Sequence, residues 1–470
     1  MQDQWKIDVE SEDHRSRRDM TEKSITRYVK GEVERQVTSS STSSSVFVSD
    51  CTWIMGASAA QPSYLCCGLS NGSVCLLNTS NLSKIYLFEV DRDSRRSQRD
   101  TDRGGQGQGS GRESAASQQL VAVATHTVSA GTNPAAAQTL LCMTLDNVVG
   151  VCPMDMSTVL ERKKVSRSDM AKVKPFPAVA AGAVLHSSVH FNSKGSGILA
   201  LLCIEQESSA APGASSIRYC AAVLSSPDET VTLQSKYASE DDWHTLAPPS
   251  AGGDSRPGAP VELCYCGWWS ADTLVCVWSN SALQFLQAAG MQVVGECRLL
   301  RHCTSDAVTN ATVTRPGAAE ASDGASSGLV AVVLDHNVAA SFYVTVRHSA
   351  SASAQEPKRH RGEAPLTVTL TPTMQTYCTE DIPVRELHFV RSFSWTIVLL
   401  LESGALVFLD VETMRLSVHR PVNRLRAPDA GRYHAGPLMV APRNFFCVLS
   451  GKPFSAVVIE HNTAILLKSQ

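Results

Sequence analysis

The chain has no run of apolar residues near the ~20 that a membrane-spanning helix requires. Its first residues, MQDQWKIDVESEDHRSRRD, lack the apolar core of a secretory leader. There is no Cys-x-x-Cys and no His-Glu-x-x-His, the two spacings that most directly bring metal ligands together. Charge of one sign is missing as well: 42 Lys and Arg stand against 45 Asp and Glu, a formal net charge of −3. That balance gives no bulk attraction for nucleic acid or an anionic membrane. The 15 cysteines are odd in number, and most lie inside apolar runs, among them Cys75, Cys142, Cys203, Cys276 and Cys447. There a thiol behaves as a small hydrophobe, so free cysteines in a reducing, intracellular compartment are expected.

What is present is a repeated β pattern. Ile397–Leu401, the turn Glu402-Ser403-Gly404, and Ala405–Leu409 read as a hairpin; a corner at Asp410–Thr413 leads to a third strand. The apolar runs hardly alternate, so both faces of these strands should be covered. The second clear copy is Leu65–Leu69, turn Ser70-Asn71-Gly72, then Ser73–Leu77 and the corner Asn78–Asn81. Placing Gly72 on Gly404 sets Leu77 on Leu409 and Asn78 on Asp410 without a gap. Looser copies centre on Asp146-Asn147, on the segment between Ile204 and Ile217, on Ser279–Ser281, on Asp335–Asn337 and on Ser450–Lys452. That makes seven hairpins, spaced more widely than the ~40–45 residues of a compact four-stranded blade. The excess falls in polar inserts at 91–118, 207–216, 247–260, 315–328 and 349–365, which lie between strands and read as disordered loops.

These features resemble the WD40-repeat family in degenerate form. An apolar strand, a Ser/Asn-Gly turn and a second apolar strand are there. The closing Trp-Asp pair is replaced by Leu77-Asn78 and Leu409-Asp410, and the Gly-His pair is absent. The resemblance implies an all-β chain with a single β-propeller, seven-bladed, over 46–470. Residues 1–45 form a charged, Ser-rich tail, in which Trp5–Val9 or Val29–Val37 could add a closing strand to the last blade. Gly72, Asn78, Gly404 and Asp410 are then blade-corner residues, with Asn78 and Asp410 accepting backbone N–H bonds.

Other motifs lose to simpler readings. Gly68-Leu69-Ser70-Asn71-Gly72 fits the Gly-x-Ser-x-Gly nucleophile elbow, but that motif needs a helix after the turn, and Val74–Leu77 continue as a strand. The glycines at 104–109 precede no helix and no Lys-Ser/Thr. Cys264 and Cys266, two apart on a strand, would share a face and could join His302 and Cys303 at a metal. Their aromatic, apolar setting reads as a core strand instead. Lys358, Arg359, His360 and Arg361 form a basic run in a polar insert, fitting a nuclear-import signal or a nucleic-acid contact.

No cofactor, metal or small-molecule substrate is expected, nor a membrane. The expected role is a non-catalytic scaffold for other proteins of a larger complex, with RNA reached only indirectly or through basic loops. The basic run points to the nucleus or nucleolus, in an RNA-processing or ribosome-assembly particle. A cytoplasmic vesicle-coat or ciliary transport scaffold is the alternative within that class. A propeller enzyme is the alternative from another class. It would gather polar groups from inner strands such as Val46–Ile54, Val261–Cys266 and Val384–Phe389, which carry Asp50, Glu262, Glu386 and His388.

Overall fold

The fold was obtained as a computed structural model. It describes thirty strands, the turns joining them within 261–299 and 325–348, and residues 192, 247–249, 379, 382–383 and 411. Side-chain surroundings are described for parts of 188–411 and for Thr52 and Cys66. Every described element is a strand. After β1 (Glu22–Ser24), the first sheet takes β2 (Val48–Ile54), β3 (Tyr64–Leu69), β4 (Val74–Asn78) and β5 (Ile85–Val90). The second takes β6 (Val123–Val128), β7 (Gln138–Leu145) and β8 (Val148–Met154); β9 (Lys164–Val165) then returns to the first sheet before β10 (Ala171–Pro175) completes the second. The third holds β11 (Gly182–Phe191), β12 (Gly197–Glu207), β13 (Ser215–Ser225) and β14 (Trp243–Leu246). The fourth holds β15 (Leu263–Trp268), β16 (Thr273–Trp278), β17 (Ala282–Gln287) and β18 (Val293–Arg298). The fifth holds β19 (Val308–Thr314), β20 (Ala325–Leu334), β21 (Val338–His348), β22 (Leu366–Pro372) and the short β23 (Tyr377–Cys378). The sixth holds β24 (Val384–Arg391), β25 (Trp395–Leu401), β26 (Leu406–Asp410) and β27 (Leu416–His419). The last holds β28 (Asn444–Leu449), β29 (Ser455–Glu460) and β30 (Thr463–Lys468), with β1 added to its edge.

Each sheet is built on an antiparallel meander, to which the first adds β9 in parallel beside β5, and consecutive sheets meet along their first strands. β2 touches β6, then β6 touches β11, and the series runs through β15, β19, β24 and β28 back to β2. Seven sheets joined in that closed cycle are a seven-bladed β-propeller with the first strand of each blade innermost. The ring closes through β1, whose Glu22 and Ser24 pair with Ile465 and Thr463 of β30. Trp5–Val9 and Val29–Val37 lie outside the described residues.

The near-absence of alternation in the apolar runs has its explanation in the packing. In β16, Leu274, Cys276 and Trp278 pack against the third blade, while Val275 and Val277 pack against the fifth. In β20, Val330, Val332 and Leu334 face the fourth blade, and Leu329, Ala331 and Val333 face the sixth. A blade interior buried on both sides needs apolar residues at every position.

Two expected insert boundaries shift. The stretch 315–328 gives Ala325–Gly328 to β20, and 207–216 gives Glu207 to β12 and Ser215 and Ser216 to β13. Small polar residues look like loop in a linear reading, yet here they fill ladder positions opposite Val344–Arg347.

Candidate functional site

Five of the seven innermost strands carry a register shift near their start. It falls between Val48 and Asp50, Val184 and His186, Leu263 and Tyr265, Val308 and Asn310, and Val384 and Glu386. A bulge inserts one residue, kinks the strand and re-aims the side chains that follow. The residue after each bulge is polar or has a polar tip: Asp50, His186, Tyr265, Asn310 and Glu386. The start of the innermost strands, where each bulge is followed by one of these residues, is the candidate site.

One of these groups, Asn310, and the bulge residue Cys264 make blade-to-blade contacts. The Asn310 Nδ2 donates to Val384 O and to Arg385 O, 3.3 Å in each case, tying the fifth blade to the bulge of the sixth. The Cys264 thiol donates to Val308 O at 3.1 Å, tying the fourth to the bulge of the fifth. The neighbouring hairpin turns take part. Val308 N–H donates to Ser279 O at 2.8 Å, and Val384 N–H donates to His336 O. To offer that carbonyl, Asp335 and His336 both adopt positive φ, 45° and 69°, the signature of a type I′ turn, closed by Asn337 N–H on Leu334 O.

Of Asp50, Glu262, Glu386 and His388, the structure brings together Glu386 and His388, which lie two residues apart on β24. Their Oε2 and Nε2 are 3.1 Å apart, and Glu386 is 8% exposed. Glu262 sits elsewhere, its N–H bonded to Ser279 Oγ and its carbonyl to Ser279 N–H. The Asp50 side chain is outside the described set. One carboxylate–imidazole pair on a single strand is not a constellation converging from several blades.

Cys264 and Cys266 do not share a face. Cys264 lies in the core between the fourth and fifth blades, whereas Cys266 lies between the third and fourth, 3.4 Å from Cys276 Sγ. The bulge between Leu263 and Tyr265 inverts the phase that a regular strand would give. His302 and Cys303 are outside the described residues. Among the described residues no three His, Cys, Asp or Glu side chains group as metal ligands do. Burial, with the Glu262 carboxylate adding to it, pushes the Cys264 thiol well above its ordinary value. The hydrogen bond to Cys266, then burial, does the same to Cys276. Such thiols are poor ligands and poor nucleophiles at neutral pH.

Lys358, Arg359, His360 and Arg361 lie outside the described residues, as do Gly72 and Gly404. Asn78 and Asp410 are the last residues of β4 and β26, opposite Tyr64 and Thr396.

The pair Trp268 and Trp269, at the end of β15, is a feature that the sequence reading did not single out. Trp268 Nε1 reaches back to His190 O in the third blade at 3.0 Å, and Trp269 Nε1 reaches forward to Ser326 Oγ in the fifth at 2.8 Å. Asn192 Nδ2 returns the first contact, donating to Ala271 O at 3.4 Å. Adjacent tryptophans at a strand end are a visible signal, but their opposite directions across two blades are not.

No family model matches the chain, and no curated protein matches it. Among solved structures it is similar to the β-propeller domain of Myceliophteria thermophila Cps50 (Swd1), at 10% identity and TM-score 0.43, over 87% of this chain and 93% of that one. It is similar also to Chaetomium thermophilum Raptor, at 8% identity and TM-score 0.44, over 90% of this chain and 28% of that one. At these values the fold assignment rests on the sheet topology above.

Proposed function

We propose that the chain is a non-catalytic propeller scaffold that holds partner proteins in a multi-protein assembly. The observation that carries this is the use of the inner-strand polar groups. Asn310 and Cys264 bond to carbonyls of the next blade, so they stiffen the ring and are not presented to a substrate. A rigid ring with many loops and edges offers surfaces to partners. The reading is tested by isolating the tagged full-length chain from its own cells and measuring the mass of the particle. Stable recovery with fixed partners is the expected result; recovery as a monomer would sink it.

The finer reading places this assembly in the nucleus or nucleolus, in RNA processing or ribosome assembly. It rests on Lys358, Arg359, His360 and Arg361 as an import signal. Replacing Lys358, Arg359 and Arg361 together by alanine should move the protein to the cytoplasm. Unchanged distribution would remove the nuclear reading and leave the scaffold.

A further inference from the structure

The core between the third and fourth blades holds two thiols on neighbouring strands. Cys266 of β15 and Cys276 of β16 are directly opposed in the ladder, with Tyr265–Val277 and Gly267–Val275 paired on either side. Both are free thiols, and their sulfurs are 3.4 Å apart. Opposed residues on antiparallel strands have Cα atoms about 4.5 or 5.5 Å apart. A disulfide spans Cα separations of roughly 4.4–6.8 Å, so the two strands already stand at bonding distance. Closing the bond asks the sulfurs to approach by about 1.4 Å, a movement divided between two side chains.

The pair is asymmetric. Cys276 donates its S–H to Cys266 Sγ. That hydrogen bond, ahead of burial, holds the proton on Cys276. A donated hydrogen bond supports negative charge on its acceptor, here Cys266. Cys266 also keeps 5% of its surface exposed, whereas Cys276 keeps none. Cys266 is thus the attacking sulfur and Cys276 the resolving one. Cys264 does not compete, because it lies in the core on the other side of the blade and donates to Val308 O.

We propose that Cys266 and Cys276 form a reversible oxidation site, at which hydrogen peroxide converts the thiol pair into a disulfide joining β15 to β16. Peroxide is small and uncharged, which suits a nearly closed apolar site. The Cys266 sulfur gives up its proton and attacks one peroxide oxygen. The O–O bond breaks, and the departing hydroxide takes that proton as water, leaving a sulfenic acid on Cys266. The Cys276 sulfur then attacks the Cys266 sulfur. The S–O bond breaks, and the second hydroxide leaves as water with the Cys276 proton. Two thiols are oxidised and one peroxide is reduced to two waters. A dithiol reductant reverses the bond by exchange. The cross-link fixes the innermost strand of the fourth blade to its neighbour, independently of any scaffold role.

The test treats the folded full-length chain with hydrogen peroxide, blocks remaining thiols with iodoacetamide in denaturant and maps the peptides by mass spectrometry. Cleavage before Asp272 separates the two cysteines. Cys51 with Cys67, and Cys67 with Cys75, are also opposed in register in the first blade, so linked peptides are assigned by sequence. A Cys266–Cys276 link is expected, lost with dithiothreitol. Hydrogen exchange in β15 and β16 should slow about tenfold on oxidation and recover on reduction. Cys276→Ala should leave a sulfenic acid on Cys266 that dimedone traps; Cys266→Ala should abolish both link and trapping at this site. Should the variants fail to fold, the map of the unaltered chain still decides. Oxidation of the exposed Cys378 shows that the peroxide was active. With that control positive, the absence of the link, its formation only in denaturant, or a link from Cys264 in its place would overturn the proposal.

Discussion

The indole nitrogen of Trp269 and the hydroxyl of Ser326 lie 2.8 Å apart across the boundary between the fourth and fifth blades. The rest of the ring presses on Gly328, two residues further along β20. A methyl group there would come within 2.5 Å of the Trp269 indole and 2.9 Å of Thr314 O. Trp269 also meets Phe285 edge-on, with ring centroids 5.2 Å apart. The tryptophan therefore fills the space that the missing side chain leaves, and the glycine is required by close approach.

Gly328→Val should displace the indole and destabilise the protein by about 1–3 kcal/mol, the usual cost of overpacking. Trp269→Ala should cost about 3–5 kcal/mol through the cavity it leaves. Denaturant melts of the two variants and of the double variant check this. The double variant should be less destabilised than the sum, since the clash with the ring disappears and only that with Thr314 O remains. Additive losses would show that the two residues do not meet.

Asn310→Leu should remove the donor that holds Val384 O and Arg385 O, leaving carbonyls at a buried blade junction without that partner. A loss of about 1–3 kcal/mol is expected. Hydrogen exchange should quicken in β24 more than in β16, because the junction of the fifth and sixth blades is the one loosened.

Leu409→Asp should prevent stable folding. Leu409 is 4% exposed, opposite Ile397 and within the core between the fifth and sixth blades. An unpaired carboxylate there costs several kcal/mol. Circular dichroism and solubility measurements check it; a wild-type melt would contradict the burial.

Alkali should destabilise the protein. Burial raises Tyr219 and Tyr265, burial together with the Glu262 carboxylate raises Cys264, and the Cys266 hydrogen bond and burial raise Cys276. The unfolded chain then releases these protons at a lower pH than the folded one. Stability from these groups is complete below the ordinary thiol value and is lost as pH rises through and beyond it. The melting temperature should fall steadily above about pH 9. In the native protein at pH 7.5, iodoacetamide should label the exposed Cys378 well before Cys264 or Cys276. Equal labelling rates, read by peptide mapping, would refute the packing.

The ungapped match of Gly72 to Gly404 carries a real equivalence, since β4 and β26 are both five residues long and begin at the matched positions Val74 and Leu406. Hairpin turns and strand lengths are local properties, and the continuous apolar runs announced burial on both faces. The polar rim was half visible. Glu386 and His388 are legible as polar residues on an inner strand, whereas nothing in the residues around Asn310 marks it as the donor to the next blade.

Local order, then, belongs to the chain itself: seven hairpins, their turns and their two-faced apolar content follow from residue type and spacing. The tertiary structure alone decided phase and closure. A single bulge after Leu263 sent Cys264 and Cys266 to opposite blades, and Glu22–Ser24 found its partner in β30, more than four hundred residues away. Neither is encoded in neighbouring residues, because a register shift and a long-range strand pairing are set by which surfaces meet around the ring.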